Sequence, residues 1–268
     1  MNAAELIRNG KVGEAADALR SQIRANPADA KLRVFLFQLL LIDGHWDKAL
    51  AQLNIAADLD PIHLLMAETC RPLLQCEALR QQVFAGERSP LVMGEPADWI
   101  GWLFQAVALT AKGKHRVAAD LRTKAFDAAP AISGSINDQP FEWVADADSR
   151  LGPVIEAVVD GKYYWIPMAN IARITLEKPA DLRDIIWLGG QFTWANGGTA
   201  IGFIPVRYPG SETAADPVVR LARRTDWQEY EGAAVGLGQR TLVTDSGEYP
   251  LLEIRLLVMN QPAPVTAT

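Results

Sequence analysis

The sequence predicts an α+β protein, with tetratricopeptide-like helical hairpins first and then a mostly antiparallel β domain with minor helix. Two observations carry this. Gly10 and Gly44 stand 34 residues apart, as do Pro27 and Pro61, which is the period of a helix pair that stacks on its neighbours. From residue 153 onward, β-branched and aromatic runs are cut by turn signals such as Asp160-Gly161 and Asn196-Gly197-Gly198. Residues 1–130 are read as the helical domain, 131–150 as a connector and 151–268 as the β domain.

In the helical half the matches extend between the punctuating residues. Val12 aligns with Trp46, Ala15 with Ala49 and Leu19 with Leu53, and a third copy runs from Gly113 to Pro130 with Ala118 and Ala125 at the small positions. Each copy spaces its glycine and proline by 17 residues. A glycine can take the positive φ that ends one helix and starts the next. Trp46, Ala49, Leu50 and Leu53 then fall on one helical face. The interval between the second and third copies leaves room for a degenerate hairpin at about 63–87.

The connector shows breakers, Ser133-Gly134-Ser135, Asn137-Asp138 and Pro140, although Phe141 and Trp143 argue that it docks against something. Strands are expected over 154–159, 162–166, 171–176, 191–195, 199–206, 239–243 and 251–258, with a short helix around 217–223. Such a pattern favours a barrel-like or sandwich arrangement over a doubly wound one.

Composition bounds the function. The chain is 49% hydrophobic and 22% charged, with a net charge of −6. Residues 1–130 carry 15 basic and 15 acidic side chains and no later segment is basic. Nucleic acid is therefore not expected as a partner. No apolar run reaches membrane-spanning length, so no membrane partner is expected either. Cys70 and Cys76 are six apart in one expected helix and point to different sides of it, so they read as small buried hydrophobes in a reducing, cytoplasmic setting.

Stacked repeats line an inner face with their first helices. In register, that face holds Lys31, Val34, Gln38, Leu41 and Ile42 in the second repeat, and Ile100, Leu103, Val107 and Ala111 in the third. It is apolar enough to take an amphipathic helix of a partner, or to be covered by the chain's own second half. Catalytic signals are weak. His45, His63 and His115 lie in no metal-ligating spacing, and neither a metal nor a cofactor is expected. Ser211 lacks the glycines of a nucleophile elbow. Arg183, Arg220, Arg223 and Arg224 form a candidate anion site, the basis of an alternative small-ligand or enzymatic reading, with surface ion pairing or domain-interface contacts as the plainer explanation.

Several segments carry a family likeness. They are Tyr164-Trp165-Ile166-Pro167, Pro179-Ala180-Asp181-Leu182-Arg183-Asp184-Ile185-Ile186-Trp187, Pro205-Val206-Arg207-Tyr208-Pro209-Gly210-Ser211, Thr225-Asp226-Trp227 and Gly236-Leu237-Gly238-Gln239-Arg240-Thr241. With the early run Ala18 to Pro27, the chain resembles the ImpE (TagJ, SciE-type) family of type VI secretion accessory proteins over nearly its whole length. Met168 stands where that family usually has Phe. The resemblance implies a non-enzymatic cytoplasmic adaptor. Its partner would be the N-terminal helix of the small subunit of the contractile sheath, in connection with sheath handling by the ClpV-type unfoldase.

Overall fold

The computed structural model describes residues 2–261, so the last seven residues of the expected β domain lie outside the described ones. Four helices open the chain: α1 (Ala3–Arg8), α2 (Val12–Ala25), α3 (Ala30–Ile42) and α4 (Trp46–Leu59). A single long helix, α5 (Leu64–Phe84), separates them from the hairpin of α6 (Asp98–Ala111) and α7 (His115–Ala128). Asn2 closes a capping box with Glu5, and the Asp29 side chain accepts from the backbone N–H of Lys31 and Leu32 to start α3. The turn glycines Gly10, Gly44 and Gly113 all have φ between 68° and 76°, as the repeat predicts.

The degenerate hairpin expected at about 63–87 is instead this one 21-residue helix. Nothing between Leu64 and Phe84 can supply a positive-φ turn. Pro72 removes one backbone bond without ending the helix, and the chain leaves α5 only at Gly86, with φ of 72°.

The β half is built on one nine-stranded sheet. Its members are β1 (Leu91–Val92), β2 (Gly134–Ile136), β3 (Gln139–Phe141), β5 (Val154–Val159), β6 (Lys162–Pro167), β7 (Ile171–Leu176), β8 (Trp187–Trp194), β9 (Thr199–Pro205) and β14 (Leu256–Met259). They lie in the order β1-β6-β5-β9-β8-β7-β14-β2-β3. Every pairing is antiparallel except that of β1 with β6. A second sheet orders β13 (Glu248–Pro250), β12 (Thr241–Thr244) and β4 (Val144–Asp146), and β10 (Thr225–Tyr230) forms a hairpin with β11 (Ala233–Gly238). A short helix, α8 (Pro217–Arg220), falls inside the expected range.

The stretch 131–150 is no loose connector. It contributes β2, β3 and β4 to the two sheets, because Phe141, Val144 and Ile136 are apolar at positions that face a core. The expected strand 251–258 is also divided: a 3-10 turn, Leu251–Glu253, precedes β14.

The sheet separates two cores. Every residue of β5 is buried, and its side chains alternate between them. Val154 and Val158 join Tyr163, Trp165 and Trp187 against the helices. Ile155, Ala157 and Val159 join Ile166, Phe192, Ile204 and Leu257 on the other side. The helical half thus packs its inner face onto the sheet.

Candidate functional site

That packing decides the fate of the residues expected to form an open inner groove. Leu41, Ile42, Ile100, Leu103 and Val107 are buried in the core shared with Trp165 and Trp187, Gln38 is buried, and Val34 is partly buried. Of the two expectations for this face, coverage by the second half is the one seen. Gln38 donates to Asp181 Oδ1 at 2.5 Å, and Arg207 donates to the terminal carbonyls of α3, Leu41 at 3.1 Å and Ile42 at 2.7 Å. A guanidinium there satisfies orphan carbonyls and meets the negative end of the helix. Burial lowers the Arg207 guanidinium to about 10, with Glu212 and Glu77 opposing that shift.

The four arginines do not gather into an anion site. Arg183 lies 3.7 Å from Asp184, and Arg220 pairs with Asp43 at 3.3 Å across the two halves. Arg223 donates to the carbonyls of Ile7 and Arg8 at the end of α1. Arg224 is held by Asp216 at 2.8 Å and Asp226 at 2.6 Å. Each charge has an answering group: Arg220 and Arg223 reach across to the helical half, while Arg183 and Arg224 are paired within the sheet half. Ser211 is likewise structural: its hydroxyl is buried, donates to the Tyr208 carbonyl and accepts from Gly238 N–H.

What the fold leaves open is a different groove. The 3-10 turn Pro61–His63 and the first half of α5 make one wall, with Ile62, Leu65, Met66, Thr69 and Leu73 at successive helical turns. Ile201 and Phe203 of β9 make the opposite wall, and Gly189 of β8 leaves the floor open. Glu177, Arg183 and Asp184 supply a polar rim, and the space encloses about 370 Å³. Ile62, Leu65 and Ile201 are 77%, 75% and 73% exposed, far beyond what a large apolar side chain shows when its only role is packing. Cys70 reaches the groove from below, its thiol pushed up to about 11 by burial, against a downward pull from Arg183, so it is not a reactive thiolate.

Sequence reasoning missed this groove for a definite reason. The apolar cluster Ile62, Leu64 and Leu65 right after Pro61 was legible, as was the alternation of Thr199, Ile201 and Phe203. Neither says that these two faces meet and stay uncovered. Conversely, α3 is apolar at every position but Gln38 from Phe35 to Ile42, the signature of a helix buried on nearly all sides rather than one lining a groove.

Among the described residues, no group of three or more His, Cys, Asp or Glu side chains is placed to hold a metal ion, and no helix is long and apolar enough to cross a membrane. Fold and site together define a helical-hairpin scaffold fused to a sheet domain, with an open apolar groove between α5 and β9.

Residues 138–258 match the model of the ImpE protein family. Over 257 residues, 96% of this chain and 90% of the other, the sequence is 46% identical to the type VI secretion system accessory component TagJ of Pseudomonas aeruginosa. The chain belongs to the ImpE/TagJ family. Its fold is that of the crystal structure of protein VPA1032 from Vibrio parahaemolyticus, with a TM-score of 0.88 and 24% identity over 97% of this chain and 98% of that one.

Proposed function

We propose that this chain is a non-enzymatic accessory protein of a bacterial type VI secretion system, an adaptor in the cytoplasm that holds the N-terminal helix of the small contractile-sheath subunit. The observation that carries the reading is the α5–β9 groove with its exposed Ile62, Leu65 and Ile201. A partner helix laid in it would bury anchors at i, i+3, i+4 and i+7 against the matching stripe on α5. Support comes also from the name borne by the Pseudomonas aeruginosa relative. Holding that helix would place the protein where the ClpV-type unfoldase handles the sheath.

Co-purification with the sheath subunit, followed by titration of a peptide covering its N-terminal helix, tests this. Leu65→Asp with Ile201→Asp should abolish binding, a loss of about 2 kcal/mol or more for a central anchor, while thermal unfolding is unchanged. Peptide binding that survives both substitutions in a folded protein would overturn the assignment.

A further inference from the structure

The hairpin of β10 and β11 presents a second surface, independent of the groove. Its register is unbroken over six pairs, from Thr225 opposite Gly238 to Tyr230 opposite Ala233. Which backbone groups look outward follows from the alternation of an antiparallel ladder. On β11, Ala234, Gly236 and Gly238 turn their N–H groups away from β10, donating to Ser149 Oγ at 3.0 Å, Asp148 Oδ2 at 2.8 Å and Ser211 Oγ at 2.7 Å. Ala233, Val235 and Leu237 therefore face β10 and bond its Tyr230, Gln228 and Asp226. The N–H and C=O of Trp227 and Glu229 are left pointing from the far edge.

This edge differs from the others in the fold. β1 is two residues long and β4 three, and β3 and β13 contain Pro140 and Pro250. β10 has six residues and no proline, and five of the six are exposed. It is also held in shape: Tyr230 stacks on His115 of α7 at 4.7 Å, and Trp227 meets Tyr208 at 5.7 Å.

We infer that the open edge of β10 is a strand-addition site for an extended partner segment that alternates lysine or arginine with apolar residues. Unpaired main-chain donors and acceptors in regular register ask for another extended backbone. Asp226, Glu229 and Glu231 set its charge. Only Asp226 has a cation at ion-pair distance among the described residues, Arg224, so the edge is net acidic. The same charges disfavour a second copy of this chain, since pairing two such edges would bring together two strands of like net charge. A basic strand reverses that sign on the face of Glu229, where the half-exposed Trp227 ring can also meet a cation, and the half-exposed Tyr230 ring on the opposite face offers its alternate residues apolar contact.

The test uses the full chain and the peptide acetyl-Lys-Val-Lys-Val-Lys-Val-amide, with a version carrying Glu for Lys as control. The basic peptide should bind, weaken with added salt, and slow amide exchange at Trp227 and Glu229. Glu229→Lys with Glu231→Lys, both exposed and outside any ion pair, should weaken it by about tenfold and let the acidic peptide bind instead. Binding indifferent to these substitutions, or no added protection at those two amides, would overturn the proposal. So would dimerisation of the free chain through this edge, seen by light scattering and abolished by the same substitutions.

Discussion

Arg80 on α5 and Glu156 on β5, 76 residues apart in sequence, meet in a two-pronged ion pair, Nε to Oε1 at 2.7 Å and Nη2 to Oε2 at 3.0 Å. Arg240 contacts the same carboxylate and that of Asp146, and the Tyr163 hydroxyl donates to Glu156 while accepting from Trp165 Nε1 at 2.7 Å. Glu77 accepts from Trp187 Nε1 at 2.8 Å and lies beside Arg80. The one acid in the strand Val-Ile-Glu-Ala-Val-Val is thus where the sheet is fastened to the helices. The groove depends on this fastening, since α5 forms one of its walls.

Glu156→Gln should cost about 3–5 kcal/mol, because it leaves two buried guanidinium groups with too little negative charge. The change reads as a lower urea midpoint at unchanged slope. A cost below about 1 kcal/mol would mean that Arg80 and Arg240 find other partners.

The same network gives stability a signed pH dependence. Burial pushes the Glu156 carboxyl up, but Arg80 and Arg240 outweigh it and hold it at about 2, against an ordinary 4.5. A carboxyl lowered in the fold stabilises above its unfolded value, and that contribution is lost as pH falls from 4.5 towards 2. Asp146 has the opposite sign. Burial pushes it up to about 6 despite Arg240, so its contribution is full below 3.8 and is lost as pH rises through 6. The stability gap between the wild type and Glu156→Gln should therefore close between pH 4.5 and 2.5. Asp146→Asn should flatten the wild-type decline between pH 4 and 6. Parallel curves for all three proteins would contradict both assignments.

Much of the fold was legible because it rests on local signals. The glycines at 10, 44 and 113 mark turns, and β5 and β7 span the ranges their β-branched runs predict. The hairpin of β10 and β11 was not. Thr225 to Tyr230 mixes charge and aromatics without an apolar alternation, because both of its faces meet solvent. The long-range pairing of Arg80 with Glu156 left no sequence signal either, since a lone acid in an apolar run is read the same way whether or not a partner exists.

Exposed and buried leucines on the helical half should separate sharply. Leu65→Asp alters a side chain already in water and should change stability by less than about 0.5 kcal/mol. Leu41→Asp buries an unpaired carboxylate in the core that also holds Trp187 and should prevent stable folding. Circular dichroism during heating distinguishes them. If Leu41→Asp folds normally, the inner face of the repeats is open after all.

The turn between α3 and α4 provides the last test. Gly44 has φ of 68°, and a Cβ there would stand 2.6 Å from Glu212 Cγ, on the segment that joins β9 to α8. Gly44→Ala therefore meets two separate penalties. The left-handed backbone costs an alanine about 1–2 kcal/mol, and the clash adds to it unless Glu212 swings away. Glu212→Ala removes the Cγ that a Cβ at 44 would meet most closely, and leaves its own Cβ at 3.0 Å together with the backbone cost. The double variant should recover part of the loss and still fall short of Glu212→Ala alone by about 1 kcal/mol. Full recovery would mean that the backbone is relaxed at residue 44. No recovery would mean that Glu212 already moves freely, and the helical turn would then be uncoupled from the sheet domain at this point.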